Sequence, residues 1–566
     1  IAVNLAGGPL EFRNAGTTAP VIWLNAFPST VTYTIANDIT LANDTTFNAS
    51  NSGRYLFTGS ISGPGALTRI DRWSTLILSG NNSYQGTTTI PSLGTIQIGN
   101  DGPTGTPGNG PIVNNGSLRI DRSGTLDLTN SISGSGNLII DNPAAADTVV
   151  LSADNSFSGG TTLNRGTLRL THSSALGTGS KTLSSPGADR RIQLSNNITL
   201  PAALTLSASS NSFDGGGISN LDGNNQIQGP IQITTGNGLL NISSSAGTLL
   251  ISGPITAATT TRSLLLGGAS SGTISGTISD GLTTAMPVTK QGNGTWTLTN
   301  AHSYTGPTAI NAGKLVLSGA LTSDLTATTT GILAPQGTPA TTGALNLTAT
   351  GRLEIRPGDT LSIGGNLTLA GNLDLIAPPG LAPGTRFTLL NKTSPGAITG
   401  SFASLPEGSN FTASGYAWQI TYSGGDGNDT VISIPNLSAI ESWRQLHFGS
   451  PANTGNAADN FDANHDGETN LLEFTTAQNP HAPTRAIVSL LPAPGSMLDF
   501  TYTRSKAAFD QGYIFSVEYS DTLAPNSWTS VGPGTVTAEG PTQSVTAAHP
   551  KALNHHRFTR LKVTTP

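Results

Sequence analysis

Apolar residues occupy alternate positions in many short stretches of this chain, and a glycine precedes each stretch. The pattern is clearest in residues 294–298 (GTWTL) and 313–317 (GKLVL). Because side chains two apart lie on the same face of a strand, we expect Trp296 and Leu298 to point inward while the threonines face water. The turn-forming segment 300–307 (NAHSYTGP) separates the two stretches. The pattern therefore predicts short β-strands joined by turns.

The glycine-led unit recurs along most of the chain, at a spacing close to one solenoid coil. The glycines at 294 and 313 are 19 residues apart, and those at 351 and 371 are 20 apart. This spacing is typical of a β-solenoid, in which each coil buries its inward side chains against its neighbours. Further copies of the unit are residues 94–98, 124–128, 166–170, 247–251, 343–347, 351–355 and 371–375. We therefore predict an all-β chain dominated by a solenoid.

Three segments carry a longer motif, in which an aromatic residue is followed two positions later by glycine. They are residues 76–98, 150–170 and 290–317, with the pairs Tyr84 and Gly86, Phe157 and Gly159, and Tyr304 and Gly306. The motif resembles the autotransporter-associated β-strand repeats of secreted and surface-exposed bacterial proteins. This resemblance implies a right-handed parallel β-helix over about residues 66–433. We expect the ring to fill a corner of the coil and the glycine to supply the φ angle of a sharp bend.

Residues 1–65 are less repetitive than the segment that follows. Residues 20–35 (PVIWLNAFPSTVTYTI) are rich in aromatic and β-branched residues and predict one or two strands. The end coil of a solenoid exposes unpaired backbone groups and an apolar cross-section, so we predict that residues 1–65 form a cap. Strand exchange with a neighbouring molecule is the alternative.

Composition and charge narrow the location. Only 10% of residues are charged, 69 are glycine and none is cysteine, which excludes a disulfide scaffold and a cysteine-ligated metal. A net charge of −6 without a basic run does not predict nucleic-acid binding. No apolar run approaches the ~20 residues of a transmembrane helix. The first residue is Ile rather than Met, which favours a mature secreted chain.

Residues 424–432 (GGDGNDTVI) match the nonapeptide of calcium-binding RTX rolls. In those rolls, carboxylates and turn carbonyls of successive repeats share an ion. A single copy lacks the partner turn, so we expect this string to end the repeat region. A second calcium ion at residues 424–431 is left open.

A calcium-binding loop is predicted within a linker at residues 434–483. The linker begins with an amphipathic helix at 436–448 and continues with DANHDGETNLLE, which fits the twelve-residue EF-hand loop at every liganding position. The predicted ligands of Ca²⁺ are Asp462, Asn464, Asp466, Asn470 and Glu473 together with the Glu468 carbonyl, with Gly467 at the turn. The short helix after the loop resembles a dockerin-type or surface-protein calcium site. An Asx-rich helix cap is the alternative.

The last segment, residues 484–566, alternates again in six or seven short strands separated by Pro and Gly turns. This predicts a small antiparallel β-sandwich. The order of helix, calcium loop and sandwich resembles the C-terminal ends of large secreted repeat proteins of outer-membrane-bearing bacteria.

No catalytic constellation is evident. The eight histidines, including His302, His549, His555 and His556, lack a neighbouring Asp or Glu at a catalytic or metal-binding spacing, so we expect them at the surface or in turns. The string RIDR occurs at residues 69–72 and 119–122, which predicts ion pairs on the outside of the stack. A groove for an acidic polysaccharide is the alternative, but no carboxylate pair at a fixed coil spacing is evident.

These features predict a non-enzymatic extracellular protein of the bacterial surface or matrix, with Ca²⁺ as its cofactor. The predicted partners are other copies of the chain, joined head to tail by β-strand addition, and surface glycans. The alternative functions are a glycan-binding adhesin and a β-helix polysaccharide lyase or hydrolase.

Overall fold

The computed structural model describes the whole chain except residues 1, 26–30, 51–52, 71–72, 180, 186–189, 209–216, 235–238, 258–261, 283, 342 and 553–555. The chain divides into two compact units. The first unit comprises residues 1–379, 387–414 and 420–432, and the second comprises residues 380–386, 415–419 and 433–566.

The first unit is a parallel β-solenoid of about 14 turns. One ladder of parallel strands runs through Ala2–Leu5, Thr32–Ile35, Arg54–Phe57, Thr75–Leu78, Thr95–Ile98, Ser117–Ile120, Asn137–Asp141, Thr161–Leu170, Lys181–Ser185, Leu204–Ala208, Ile231–Ile233, Ile255–Ala257 and Ile278–Ser279. A second ladder runs through Thr125–Leu128, Thr148–Leu151, Thr161–Leu170, Arg190–Leu194, Gly217–Asn220, Leu239–Ser244, Ser263–Gly267, Val288–Lys290, Thr308–Leu317, Leu325–Pro335, Leu345–Leu347, Leu367–Leu369 and Thr399–Gly400. A third runs through Thr199–Leu200, Asn224–Ile227, Thr248–Ile251, Ser271–Ile274, Thr295–Leu298, Thr308–Leu317, Leu325–Pro335, Arg352–Ile355 and Asn372–Leu375.

Shorter ladders complete the coils, and the predicted parallel solenoid is therefore confirmed. They are Val21–Asn25, Thr45–Ser50, Leu67–Arg69, Thr88–Ile90, Ile112–Asn114 and Ile132–Ser133; Leu10–Phe12, Ile39–Leu41 and Ile61–Ser62; and Ala320–Leu321, Ala340–Thr341, Leu361–Ile363 and Arg386–Lys392. The remaining strands before the first helix are Asn410–Ala413, Tyr416–Gly424 and Asp429–Ser433.

Segment 1–65 takes part in these ladders. Its strands pair in parallel with one another and with the strands that follow, so this segment belongs to the stack. The strands Ala2–Leu5, Leu10–Phe12 and Val21–Asn25 each pair on one side only among the described residues. Whether this first coil pairs with a neighbouring molecule stays a prediction.

The interior of the solenoid is filled by the alternate apolar residues that the sequence predicts. In the third ladder, the inward positions Gly272, Trp296, Leu315, Leu333 and Leu353 belong to successive strands. Trp296 is fully buried, and its indole Nε1 donates a hydrogen bond to the Gly267 carbonyl at 2.9 Å. Its predicted inward orientation is confirmed.

The aromatic residues of the repeat motif are buried as expected, but the role expected for the following glycines is wrong. Tyr84, Phe157 and Tyr304 are fully buried. The φ angles of Gly86, Gly159 and Gly306 are not positive, so no bend requires glycine there. A Cβ at these three positions would instead lie 2.2 to 2.3 Å from backbone atoms of the preceding coil. Glycine is needed because adjacent coils approach too closely for any side chain.

The second unit contains two antiparallel sheets, which agrees with the predicted sandwich. One sheet comprises Val488–Ala493, Met497–Ser505, Thr535–Ala538 and Thr542–Pro550, and the other comprises Ile514–Ser520, Thr529–Ser530 and Phe558–Thr564. Their facing side chains, including Phe500, Tyr502, Phe515, Val517 and Val545, form one hydrophobic core.

Three helices pack with this core. They are α1 (Ala439–Phe448), α2 (Asn470–Thr475) and α3 (Lys506–Asp510), and a 3-10 turn lies at Gly455–Ala457. A capping box formed by Ser438 and Glu441 begins α1, and Gly449 ends it with φ 73°. Ile440 from α1, Phe474 from α2 and Ala508 from α3 are buried in the core. The segment predicted as a linker thus shares its core with the sandwich. None of the helices in the described part of the chain has the length and apolar character of a membrane span.

Candidate calcium loop and binding faces

The predicted calcium loop lies between the 3-10 turn and α2. The loop is closed at its base by two backbone hydrogen bonds, from Asn470 N to the Phe461 carbonyl at 2.8 Å and from Leu471 N to the Asp459 carbonyl at 3.1 Å. Its tight turn passes through His465 (φ 61°) and Gly467 (φ 94°). Gly467 therefore takes the left-handed conformation that the motif predicts at this position.

Short side chains of the loop fold back onto its own backbone. Gly467 N donates to Asp462 Oδ2 at 2.8 Å, Asp466 N donates to Asn464 Oδ1 at 3.0 Å, and Glu468 N donates to Asp466 Oδ1 at 2.9 Å. These bonds hold three of the predicted ligand residues with their oxygen atoms toward the loop backbone. An Asx-rich turn on its own would make the same bonds.

Several buried oxygens of the loop have no hydrogen-bond donor. They are Asp462 Oδ1, Asp466 Oδ2, Asn470 Oδ1 and Glu473 Oε2. Glu473 is fully buried, and its other oxygen accepts a bond from the Asn464 amide at 2.9 Å. Burial, followed by the charges of Asp466, Asp462 and Glu468, raises the pKa of Glu473 to about 7. Oxygen atoms without donors, on residues of one loop, fit a hard divalent cation.

Two of the predicted ligand residues, Glu468 and Asn470, use their side chains for hydrogen bonds outside the loop. The Glu468 carboxylate faces away and accepts bonds from Ala486 N at 2.9 Å and Gln478 Nε2 at 2.6 Å, which is compatible with its predicted carbonyl role. The Asn470 amide donates to the carbonyls of Asn456 and Ala458. No group of three or more His, Cys, Asp or Glu side chains in the described chain is already gathered around one point. Binding would therefore require Asn464 to give up its bond to Glu473.

The RTX-like string lies in a closed turn. Asn428 Nδ2 donates to the Ser394 carbonyl at 2.9 Å, and Lys392 N donates to Asp429 Oδ1 at 2.9 Å. Burial is the main cause that raises the pKa of Asp429. The Lys392 ammonium group donates to the carbonyls of residues 394, 395 and 396. These contacts tie two segments of the solenoid together, which agrees with a terminating role.

The two RIDR strings do not occupy equivalent environments. Arg69 is buried and donates to the carbonyls of Ser74 and Thr95, whereas Arg119 is on the outside and donates to Asp141 Oδ2 at 2.5 Å. The expectation of a shared outer ion-pair ladder is therefore wrong for Arg69. Asp71 and Arg72 lie outside the described residues.

The structure contains a row of carboxylates on successive coils. The sequence analysis did not identify this row, although its members are evenly spaced. Asp101, Asp121 and Asp141 are 20 residues apart. Burial, then the charge of Asp101, raises the pKa of Asp121 to about 6. Asp141 pairs with both Arg119 and Arg165 Nε, the latter at 2.9 Å. Arg119 also lies 3.9 Å from Asp121 Oδ2, so two of the three carboxylates belong to an ion-pair network with Arg119 and Arg165.

Two histidines expected at the surface or in turns are buried, because each fills a gap in a core. His302 is 2% exposed and accepts a hydrogen bond from Ile278 N at 3.1 Å. Burial lowers its pKa to about 4. His549 is fully buried in the second unit beside Thr559 Oγ1 at 3.0 Å. His556 is exposed as expected, and His555 lies outside the described residues.

A polar cleft of about 310 Å³ lies on the outer face of the solenoid. Lys314 Nζ and Glu354 Oε2 form an ion pair of 2.6 Å along one side. Asp359 Oδ1 accepts a bond from Gly337 N at 2.7 Å, and the guanidinium group of the exposed Arg356 has no hydrogen-bond partner among the described residues. The rest of the lining is Thr295, Val316, Ala334, Pro335, Gln336 and Ile355. The cleft offers a free guanidinium group beside carboxylate acceptors.

Comparison with known proteins agrees with the repeat motif. The family model of the passenger-associated-transport-repeat matches residues 74–98, 146–170 and 288–317. The chain carries autotransporter-associated β-repeats. The resemblance of the three segments to autotransporter-associated β-strand repeats is confirmed.

Two similar proteins are adhesins by name. The Adhesin BmaC autotransporter of Brucella suis biovar 1 (strain 1330) is 29% identical over 306 residues, which cover 48% of this chain and 7% of that protein. The Hap adhesin of Haemophilus influenzae, a solved crystal structure, aligns over 71% of this chain and 61% of its own chain with a TM-score of 0.26 and 12% identity. The chain thus spans a small part of the length of BmaC.

Proposed function

We propose that this protein is a secreted, surface-exposed adhesin-like rod of a bacterium, and that it acts by binding rather than by catalysis. The observation that carries the proposal is the parallel stack of coils, in which three segments match the passenger-associated-transport-repeat. A stack of this kind presents a long, regular outer face for contacts while its core stays closed. The adhesin name of BmaC, whose matched region includes about half of this chain, also supports it.

We propose further that the polar cleft binds an acidic sugar. Arg356 would pair with a carboxylate of the sugar, while Glu354 and Asp359 would accept bonds from its hydroxyl groups. Lys314 would hold Glu354 in place through their ion pair. A cleft of about 310 Å³ has room for one or two pyranose rings.

Calorimetry with oligogalacturonate and with a neutral glucan of the same length tests this binding proposal. We expect binding of the acidic oligosaccharide alone, and Arg356→Ala should weaken it by about tenfold or more. Arg54→Ala, at another exposed arginine of the solenoid, is the matched control and should leave binding unchanged. Equal binding of both glycans, or no effect of Arg356→Ala, would refute the assignment of the cleft.

A fibre built by strand addition is a second proposal, supported by exposed apolar edges. The edge strand Val488–Ala493 exposes Leu490 and Leu491, and Ile487 before it is 72% exposed. At the first coil, the open-edged strand Val21–Asn25 exposes Trp23 by 67%. Unpaired edges with apolar side chains are sites of β-strand addition, so one copy's edge strand would extend the next copy's first coil.

Negative-stain electron microscopy at high protein concentration tests the fibre. We expect filaments from the unmodified chain and isolated particles from Leu491→Lys and from Trp23→Lys. Leu282→Lys changes a leucine that is 89% exposed elsewhere on the solenoid and should leave filaments intact. Isolated particles from the unmodified chain would contradict the proposal.

A further inference from the structure

The loop at residues 462–473 contains carboxylate oxygens that the protein itself leaves unsatisfied. Glu473 Oε2 is the decisive atom, because the residue is fully buried and this oxygen has no donor. An unpaired carboxylate in such a place is costly, and natural proteins pair it or coordinate a metal with it. Asp462 Oδ1 and Asp466 Oδ2, on half-buried residues of the same loop, are also buried oxygen atoms without a donor.

The Asn464 amide is a neutral hydrogen-bond donor to the buried Glu473 carboxylate, where a positive charge would be expected. Its amide group donates to Glu473 Oε1 at 2.9 Å and to the Ala482 carbonyl at 2.6 Å. The amide supplies only a partial positive charge against the carboxylates of Asp462, Asp466 and Glu473. The guanidinium group of Arg485 donates to the Asp466 carbonyl at 2.7 Å rather than to a carboxylate of the loop.

We propose that Ca²⁺ binds this loop through Asp462, Asn464, Asp466, Glu473 and the Glu468 carbonyl, and that occupancy sets the stability of the second unit. The ion would supply the divalent charge that neutralises the carboxylates. All the proposed ligand atoms are oxygens, from carboxylates, a side-chain amide and a backbone carbonyl. Such a set favours Ca²⁺ over transition metals. In the absence of the ion, Asn464 would return to Glu473.

Ion binding at Glu473 would stabilise the second unit because Glu473 lies on α2, which packs in the core of that unit. The next residue, Phe474, is 4% exposed and contacts the rings of Trp443 and Tyr513, with ring centroids 5.8 and 5.7 Å apart. These contacts join α2 to α1 and to the core between the two sheets. An ion that fixes Glu473 would therefore fix α2 in the core of the whole unit.

Three half-buried hydrogen bonds between loop side chains and the backbone of neighbouring segments anchor the loop. The Glu468 carboxylate accepts from Ala486 N, and Asn470 Nδ2 donates to the carbonyls of Asn456 and Ala458. The loop is thus joined both to the segment before it and to the segment that leads into the first strand of the sandwich. Asn470 acts here as a positioning residue that holds the base of the loop.

Calorimetric titration of the full chain with CaCl₂, after treatment with EGTA, measures binding directly. We expect one ion per chain with a dissociation constant of about 10⁻⁴ M or lower. At 10 mM Ca²⁺ the melting temperature of the second unit should rise by about 5 to 10 °C, and amide exchange in α1 and α2 should slow. Mg²⁺ at 10 mM should produce less than about a third of that shift.

Matched variants separate ion binding from folding. Glu473→Gln and Asp462→Asn keep side-chain size and should lose most of the Ca²⁺ shift. Because each removes a carboxylate charge that the ion-free loop leaves unpaired, their melting temperatures in EGTA should equal or exceed that of the unmodified chain. Asp510→Asn makes the same charge change on the exposed face of α3 and should keep the full shift. The proposal is overturned if the unmodified chain shows no heat of binding and no shift, or if Mg²⁺ and Ca²⁺ act equally.

Discussion

A methyl group added at Gly272 tests how closely adjacent coils of the solenoid approach. Gly272 and Trp296 are register partners in neighbouring parallel strands. An alanine Cβ would lie 2.6 Å from Cη2 and Cζ3 of the indole ring. The ring is fully buried and bonded to the Gly267 carbonyl, so it cannot move away without losing that bond. We expect Gly272→Ala to destabilise these coils by about 2 to 3 kcal/mol.

A second substitution shows whether the cost arises from this contact. Trp296→Leu alone removes buried area and one hydrogen bond, at about 3 kcal/mol, but it leaves room for the added methyl group. The double variant should therefore lose about 1 to 2 kcal/mol less than the sum of the two single variants.

Amide hydrogen exchange in the strands Ser271–Ile274 and Thr295–Leu298 measures the free energy of local opening. This local measurement is appropriate because each coil of a solenoid is stabilised by contacts with its two neighbours. Losses that add within about 0.5 kcal/mol would mean that the two residues do not meet, and would refute the register.

Three further changes address single buried groups, each read from thermal unfolding. Burial raises the pKa of Asp121 to about 6 in the folded chain, so the folded state loses stability as pH rises from about 4 to 6. Asp121→Asn removes this loss. It should raise the melting temperature at pH 8 and leave it unchanged at pH 4. Lys290 is buried and donates to three carbonyls, so Lys290→Met should cost about 1 to 3 kcal/mol and Lys290→Arg less. Gly306→Ala places a Cβ 2.3 Å from the Met286 carbonyl carbon and should lower the melting temperature by several degrees, whereas Gly8→Ala, with no atom within 4 Å, should not.

The parallel stack could be predicted from the sequence because its signal is local. Alternation with period two fixes which face of a strand is buried, and this correctly placed Trp296 and Leu298 inside. The amphipathic pattern of residues 436–448 likewise predicted α1, which begins at Ala439 rather than earlier because Ser438 caps it. The strands of the sandwich at Met497–Ser505 and Phe558–Thr564 follow the same rule.

The contacts between coils could not be predicted because they join residues about 20 positions apart at distances that depend on the exact register. The sequence predicts a sharp bend at the glycine two positions after each aromatic residue. The structure shows instead that the backbone of the preceding coil lies too close for any side chain there. The turn residues around His302 predict its place in a turn but not its burial, because the imidazole ring lies inward and accepts a hydrogen bond from Ile278 N. The bounds of the edge strand Val488–Ala493 could not be predicted because its side chains are exposed on both faces and do not alternate.

The candidate calcium loop was predicted from sequence spacing alone, and ion binding there stays a prediction. The motif identified six residues in order, since ligands in one short loop need no knowledge of the fold. It did not show that Glu468 turns its carboxylate toward Ala486, or that Asn470 is tied to the carbonyls of Asn456 and Ala458. Those contacts involve residues on both sides of the loop, and only the folded chain brings them together.

Paired cysteines at strand positions 295–298 and 314–317 test the parallel stack most directly, since the chain has no cysteine of its own. Parallel strands place Thr295 beside Lys314 and Thr297 beside Val316, at the spacing of about 4.8 Å that a disulfide can bridge. Mild oxidation should therefore cross-link Thr297→Cys with Val316→Cys, and Thr295→Cys with Lys314→Cys. An antiparallel hairpin would instead cross-link Thr297→Cys with Lys314→Cys and Thr295→Cys with Val316→Cys, and that result would contradict the solenoid.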